Sequence, residues 1–305
     1  MQDDEIYKYM PYRKEFFENF LLRISQKTAL NDPFEIEPSL DWWADLCLQT
    51  KNDRFGNTRQ EIRGYLKEHE NTSGWRHLGT SLFKEEGVVS FTKNKKNILM
   101  WAHYADSHKG MLVTFDSSHD FFHTTFTNQS KLSVGKLRKV TYRTKRLHTL
   151  EDDMSSPFFH KSKSWKYEDE YRLLLGFGVS NIGLVEKRIL EKNKKALEKN
   201  KKTLENDPEL EKLEYEDYNK SLKKITSRLH NQMAESPNIM FMITVPKEVI
   251  KAVYFGIDMK EDEKIEIKKI IEKNDALKHI KLYNSYVDDN NYKIKYTPMR
   301  NDTNL

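Results

Sequence analysis

Cysteine is almost missing from this chain. Cys47 is the single thiol among 305 residues, so no intrachain disulfide framework, zinc knuckle or cysteine-held cluster can be assembled. With Trp42 and Trp43 close by, it reads as a small buried residue rather than a reactive one. Long apolar runs are missing as well. No window approaches the roughly 18 consecutive apolar residues of a spanning helix, and the acidic opening Met1-Gln2-Asp3-Asp4-Glu5 has no apolar stretch behind it. The expectation is a cytoplasmic chain with neither signal peptide nor membrane span. Glycine fingerprints are equally scarce: the 11 glycines form no Gly-x-Ser-x-Gly elbow, Walker-type loop or dinucleotide pattern, which leaves the Rossmann route to a nucleotide unsupported. Nor does a metal set emerge. His119 and His123 are spaced to clip an ion from a helix, but no third ligand accompanies them, and the spacing of His103 and His108 suits no helix face.

What is present is charge and aromatic mass. Hydrophobic residues make up 37%, charged residues 32% and aromatics 12%. A disordered chain lacks such aromatic content, so the low apolar average points to an ordinary core plus one strongly polar segment. That segment is 184–233, rich in Lys, Glu and Leu, with Leu190, Leu197 and Leu204 spaced by seven. Asp207-Pro208 breaks it, and a second helical run carries Leu213, Leu222, Ile225 and Leu229. Pro208 then falls near the start of the second helix, where proline is tolerated. The reading is a single α+β domain over 1–183 and 237–300, with a charged helical hairpin inserted at 184–236. Net charge is +5 and the pI about 8.9; the mixed signs within the hairpin mark a solvated face more than a nucleic-acid patch. The hairpin is expected to meet a partner protein or serve as the arm of a homodimer.

Periodicity places the other elements. Strands are expected at 6–10, 87–92, 111–115, 136–142, 168–175, 239–245 and 253–256, with two more near Ile280 and Tyr292. Helices are expected at 13–22, 41–48, 59–68, 98–105 and 261–273. Residues 24–30 read as extended, ending in a tight turn at Asn31-Asp32-Pro33-Phe34, because Pro33 drives Asp32 out of the helical region.

Three stretches combine polar groups with strand periodicity and aromatic flanks: Tyr7-Lys8-Tyr9; Ser90-Phe91-Thr92 with Trp101-Ala102-His103-Tyr104; and Trp165 to Arg172. As a strand, the last sets Glu168 and Glu170 on one face, and neighbouring carboxylates raise the pKa of at least one. Ser90 and Thr92 share a face in the same way.

In order, Tyr7-Lys8-Tyr9, Asn31-Asp32-Pro33-Phe34-Glu35, Ser90-Phe91-Thr92, Met100-Trp101-Ala102-His103-Tyr104-Ala105, His108-Lys109-Gly110 and Trp165-x-x-Glu168-x-Glu170-Tyr171-Arg172 resemble the bacterial domain-of-unknown-function family numbered 2971. Some of its members look like phage-defence or toxin proteins. The layout is more distantly similar to ADP-ribosyltransferases, particularly DNA-modifying toxins of the DarT type, with an aromatic or basic group on an early strand and a catalytic Glu heading a later one. That resemblance implies a mixed, mainly antiparallel split sheet with flanking helices, and NAD as substrate. It further implies Glu170 steadying the ribose as it turns cationic and Glu168 orienting or deprotonating the acceptor, a nucleic acid or a protein. Tyr104 or Trp101 would stack on nicotinamide, Ser90 and Thr92 would brace the ribose or Glu170, and Tyr7, Tyr9 or Arg13 would reach the adenosine or diphosphate end. The first strand departs from the pattern, offering tyrosines and Lys8 where a His or Arg is usual. Two other readings stay open: a metal-dependent nuclease, and a non-enzymatic binding module in which Glu170 pairs with Arg172 or Lys166.

Overall fold

The computed structural model of the chain describes residues 4–51, 53–69, 82–124, 126–127, 133–151, 153–180, 182–185 and 239–299. Of the hairpin expected over 184–236, residues 184 and 185 are strand. The rest of it, with Leu190, Leu197, Leu204 and Pro208, lies outside the described residues.

The first half of the chain supplies strands β1 (Glu5–Met10), β2 (Leu21–Ile24), β3 (Glu86–Thr92) and β4 (Met111–Asp116), then the short β5 (Phe126–Thr127), β6 (Ser133–Val134), β7 (Leu137–Lys139), β8 (Thr141–Arg143) and β9 (His160–Ser162). Next come β10 (Glu170–Gly176), β11 (Ile182–Val185), β12 (Ile239–Thr244), β13 (Ile250–Phe255), β14 (Lys281–Val287) and β15 (Ile294–Pro298). Five α-helices are used below: α1 (Glu15–Asn19), α2 (Leu40–Gln49), α3 (Arg59–Glu68), α4 (Ile98–Tyr104) and α5 (Glu261–Lys273). Eight strands form one open sheet in the order β15-β14-β13-β4-β1-β3-β10-β7. Its pairs are antiparallel except β13–β14. The fold is therefore mixed α+β with a largely antiparallel open sheet.

Several elements differ from the periodicity reading, each for a local reason. The first helix stops at Asn19 because Phe20 turns left-handed (φ 56°), freeing Leu21 to open β2 against Thr244 of β12. Residues 24–30 are not one extended piece: Lys27–Ala29 wind into a 3-10 turn. The strand expected at 136–142 is cut at Val140, whose N–H goes to the Glu170 carbonyl. Glu168 is not on a strand. It ends a 3-10 segment, Lys163–Glu168, and Asp169 (φ 41°) turns the chain before β10 begins at Glu170. His119 and His123 flank a single 3-10 turn, where His119 Nδ1 accepts from the Phe121 N–H and His123 Nε2 meets the Ser117 carbonyl. They do not project as a helical pair.

The sheet's two faces are covered unequally. On one side Ile6, Met10, Val89, Phe91, Val113 and Leu173 pack against Phe16 and Phe17 of α1 and Ile267 and Ile271 of α5. The other side is covered in two pieces. Trp42 and Trp43 of α2 and Phe158 lie over Val88 and Leu174; Trp101 of α4 lies with Tyr9, Leu112 and Tyr254. Strands β1 and β3, which run between these two caps, are in register only at Tyr7–Thr92, whereas β10 follows β3 along its whole length. The sheet is thus opened at β1–β3, beneath the gap between the caps.

One close approach holds α4 to the sheet. Asp106, Ser107 and His108 are all left-handed (φ 46°, 51° and 70°), which folds the chain back so that the His108 carbonyl reaches the Asp258 N–H. A Cβ on Gly256 would lie 2.0 Å from that carbonyl oxygen, and backbone on both sides leaves nothing flexible to yield. Gly256→Ala is expected to destabilise the fold by about 1–3 kcal/mol, read from the shift in a urea-unfolding midpoint at unchanged slope.

Candidate active site

The gap over β1–β3 is a cavity of about 270 Å³. Its base is polar because antiparallel register sets Thr92 beside Tyr7 and Glu170, and Ser90 beside Arg172. Residues of one face of β1, β3 and β10 therefore converge there. The turn predicted around Pro33 closes another side. The Asp32 carboxylate accepts from the Phe34 N–H at 2.9 Å, and Ile36 is left-handed (φ 55°); this geometry drives Glu35 inward. Strand β9 contributes Lys161, which points inward and is buried while its neighbours His160 and Ser162 are partly exposed.

At the centre stands a buried ionic cluster. Lys161 Nζ lies 2.9 Å from Glu35, 2.6 Å from Glu168 and 3.2 Å from Glu170. Arg172, fully buried, grips Glu170 with two donors, Nε at 2.7 Å and an Nη at 2.9 Å. The same Nη also bonds Glu35, and the other Nη donates to the Phe158 carbonyl at 2.7 Å. Two cations thus face three carboxylates. The next cation is Lys8, which donates to the Ser90 carbonyl at 2.9 Å. Burial brings its pKa down to about 8, with Glu170 pulling it back up and Arg13 adding to the fall.

This imbalance drives Glu168 and Glu170 apart. Burial disfavours charge on both. For Glu170 the adjacent Arg172 and Lys161 outweigh it, with help from a hydrogen bond to Ser90, and hold the carboxyl down to about 2. For Glu168 burial prevails over Lys161, and the charge on Glu170 adds to it, so its pKa rises above the ordinary value. Its second oxygen takes the Tyr104 hydroxyl at 2.5 Å, and burial beside that carboxylate pushes the Tyr104 phenol up as well. A pair of carboxyls with pKa values driven apart divides naturally into a permanent anion and a proton carrier.

The residues singled out from the sequence fall into three groups. Glu168, Glu170, Ser90 and Tyr104 come together as described. Tyr7, Tyr9 and Thr92 line the same cavity but spend their polar groups elsewhere. The Tyr7 hydroxyl goes to Glu5 and that of Tyr9 to the Asn94 carbonyl, while the Thr92 hydroxyl goes to the Glu168 carbonyl and fixes the turn before β10. They form walls and braces. Trp101 and Arg13 are outside. Trp101 has 0% exposure and packs edge-on to Tyr9 with centroids 5.2 Å apart, so its ring face is spent on the core. Arg13 is exposed beyond the lining.

Glu35 and Lys161 carried no role in the sequence reading. For Glu35 a signal was present, since a Pro-directed turn aims the residue after it. Lys161 sits in His-Lys-Ser-Lys-Ser, with no apolar alternation to reveal a strand. The partner expected for Glu170 was Arg172 or Lys166; it has Arg172 and Lys161.

No curated protein and no solved structure matches the chain. A family described as a protein of unknown function, DUF2971, matches residues 100–173. That stretch runs from α4 into β10, and over it, with Tyr104, Lys161, Glu168, Glu170 and Arg172 inside, the chain is similar to that family.

Proposed function

We propose that the cavity takes NAD and that the protein transfers its ADP-ribose to a nucleic acid or a protein, as a transferase resembling the DarT type. The observation that carries this reading is the charge of the buried cluster, with one more carboxylate than Lys161 and Arg172 balance. Breaking the nicotinamide–ribose bond turns the sugar into an oxocarbenium-like cation, a charge that carboxylates stabilise. Glu170, ionised throughout the working range, is suited to hold that charge as a preorganised anion. Glu168, with its raised pKa, is suited to take the acceptor's proton. Tyr104 orients Glu168, and the walls of Tyr7, Tyr9 and Tyr104 offer flat surfaces to the ring and base.

A metal-dependent nuclease draws less support. The Lys161 ammonium occupies the point among the three carboxylates that a divalent cation would need. A binding cavity without turnover has one observation in its favour: Arg172 and Lys161 already engage both oxygens of Glu170.

The test is nicotinamide release from labelled NAD, with and without cell extract. The wild type is expected to release nicotinamide and Glu168→Gln to be slower by roughly a hundredfold, with its melting temperature held close to wild type. NAD binding with no release from the wild type transfers the assignment to the binding reading. Equal release from wild type and variant removes Glu168 from the chemistry.

A further inference from the structure

A second cavity, of about 290 Å³, lies behind the wall formed by residues 34–38 and β9. Its chemistry is opposite to that of the first. Arg143, Lys145 and Arg146 line it together with His160 and one side of Lys161. Arg143 and Lys145 have no ion-pair partner among the described residues, and the Lys161 charge is already taken by the three carboxylates of the first cavity. Glu37, the one carboxylate of the lining among the described residues, is itself neutralised by Lys27. The result is a basic pocket in which Arg143 and Lys145 are unpaired among the described residues, which favours an anion held by several donors.

Two further features narrow the ligand. Phe34 lines the same pocket at 56% exposure, high for a large apolar side chain, with the Arg146 guanidinium 4.9 Å from its ring centroid. An exposed aromatic face beside cations suits a flat heteroaromatic ring. Glu37 is nine-tenths buried at its side chain, and its Oε2 has no hydrogen-bond partner. A buried carboxylate oxygen left open accepts only from an N–H or O–H, and leaving it unmet is costly. A ligand that satisfies all three sites carries a phosphate, a flat ring, and a hydroxyl or amino donor.

We propose that this second cavity is a nucleotide-unit site: phosphate on Arg143 and Lys145, base against Phe34 and Arg146, and a sugar hydroxyl or base amino group on Glu37. The unit comes either free, as a mononucleotide, or within a single strand, whose unpaired bases are accessible to such a ring. The assignment does not depend on what reaction the first cavity performs.

The test reads binding alone. Fluorescence anisotropy of a short labelled single-stranded oligonucleotide is measured at low salt, with adenosine monophosphate, inorganic phosphate and heparin as competitors. The wild type is expected to bind. Arg143→Glu with Lys145→Glu weakens binding by roughly tenfold or more, and Phe34→Ala weakens it by several-fold. The control Lys251→Glu, on β13 and paired to Asp116, has no comparable effect. Displacement by adenosine monophosphate places the free nucleotide in the site. Binding of the strand without that displacement assigns the site to the polymer. Either result supports the proposal provided Phe34→Ala matters. If Phe34→Ala binds as wild type while heparin or inorganic phosphate displaces the strand, only a charged patch remains and the nucleotide site is overturned. Unaltered binding by the Arg143 and Lys145 variant overturns it as well, as does a wild type that binds neither the strand nor labelled adenosine monophosphate.

Discussion

Replacing Glu170 by Gln is expected to cost about 3–5 kcal/mol of folding stability, the range for breaking a buried ion pair from one side, while Glu168→Gln changes it by less than about 1 kcal/mol. The two positions are two residues apart, equally buried, and bound to the same lysine. The difference lies in how each carries its charge. Glu170 is gripped at both oxygens by Arg172, with Lys161 third. Its amide replacement offers one acceptor where two are used and presents N–H groups to a guanidinium that cannot accept. Glu168 is the surplus carboxylate. Its amide leaves Glu35 and Glu170 against Lys161 and Arg172, a balanced set, and its oxygen still accepts from Lys161 while the Tyr104 hydroxyl turns to accept from the new N–H.

The dependence on pH separates the two further. The folded pKa of Glu170 is lowered, so its contribution is complete above the ordinary carboxylate range and is lost as pH falls toward about 2. The folded pKa of Glu168 is raised, so the stability tied to its protonated form is present below the ordinary range and is lost as pH rises through the folded value. Glu168→Gln removes that loss, and its stability relative to wild type should improve with rising pH. Urea unfolding compared at neutral and mildly acidic pH tests the Glu168 statement, and extending it into the strongly acidic range tests the one for Glu170. Equal penalties for the two variants, with the same pH slope, would mean that charge is shared evenly across the cluster and that neither role proposed for these carboxyls stands.

How far such a cluster can be read from sequence depends on what sets each residue's position. Strands β1, β3 and β4 and helices α3 and α5 fall almost residue for residue where the apolar residues put them: β3 and β4 are short runs buried on both faces, and α3 and α5 each bury one stripe, Ile62 and Leu66 in the first and Ile267 and Ile271 in the second. The clustering of Glu168 and Glu170 was visible as a pair, but the reason given by strand alternation was incorrect. They converge because Asp169 turns left-handed between the end of the 3-10 segment and the start of β10, with the Thr92 hydroxyl holding the Glu168 carbonyl. Trp101 illustrates the opposite limit. Its place in an aromatic, polar stretch suited a ligand platform equally well, and only the packing of α4 onto Tyr9 consigns it to the core. Lys161 was invisible for a different reason. Nothing in its own neighbourhood demands burial, and what holds it there is three carboxylates from separate segments. Long-range electrostatic pairing leaves no period in the sequence.

Lys161→Met should therefore expose the cluster's dependence on that one ammonium, and in a manner that ordinary cavity-filling effects cannot imitate. Methionine nearly matches the lysine stem in length, so packing is largely kept while the charge is lost. Among the described residues, Glu35, Glu168 and Glu170 then keep Arg172 as their ion-pair partner, bonded to the first and third of them but not to Glu168, with Lys8 more distant at the Ser90 carbonyl. At neutral pH the expected loss is again about 3–5 kcal/mol. The sign of its pH dependence is the diagnostic part. With the ammonium gone, mutual repulsion and burial raise the folded pKa values of the carboxyls left over. Stability in the variant is then greatest where they are protonated and falls as pH rises through those values. Its melting temperature should increase more steeply than that of the wild type as pH is lowered from neutrality into the mildly acidic range, because in the wild type Glu168 gains a proton there while Glu170 stays ionised. Adding Glu168→Gln to Lys161→Met removes one of the two surplus charges, and the double variant is expected to regain about 1–3 kcal/mol relative to the sum of the single effects. A Lys161→Met protein whose melting temperature tracks the wild type at every pH would show that the ammonium does not neutralise this group. The surplus negative charge on which the proposed transfer chemistry rests would then have no physical basis.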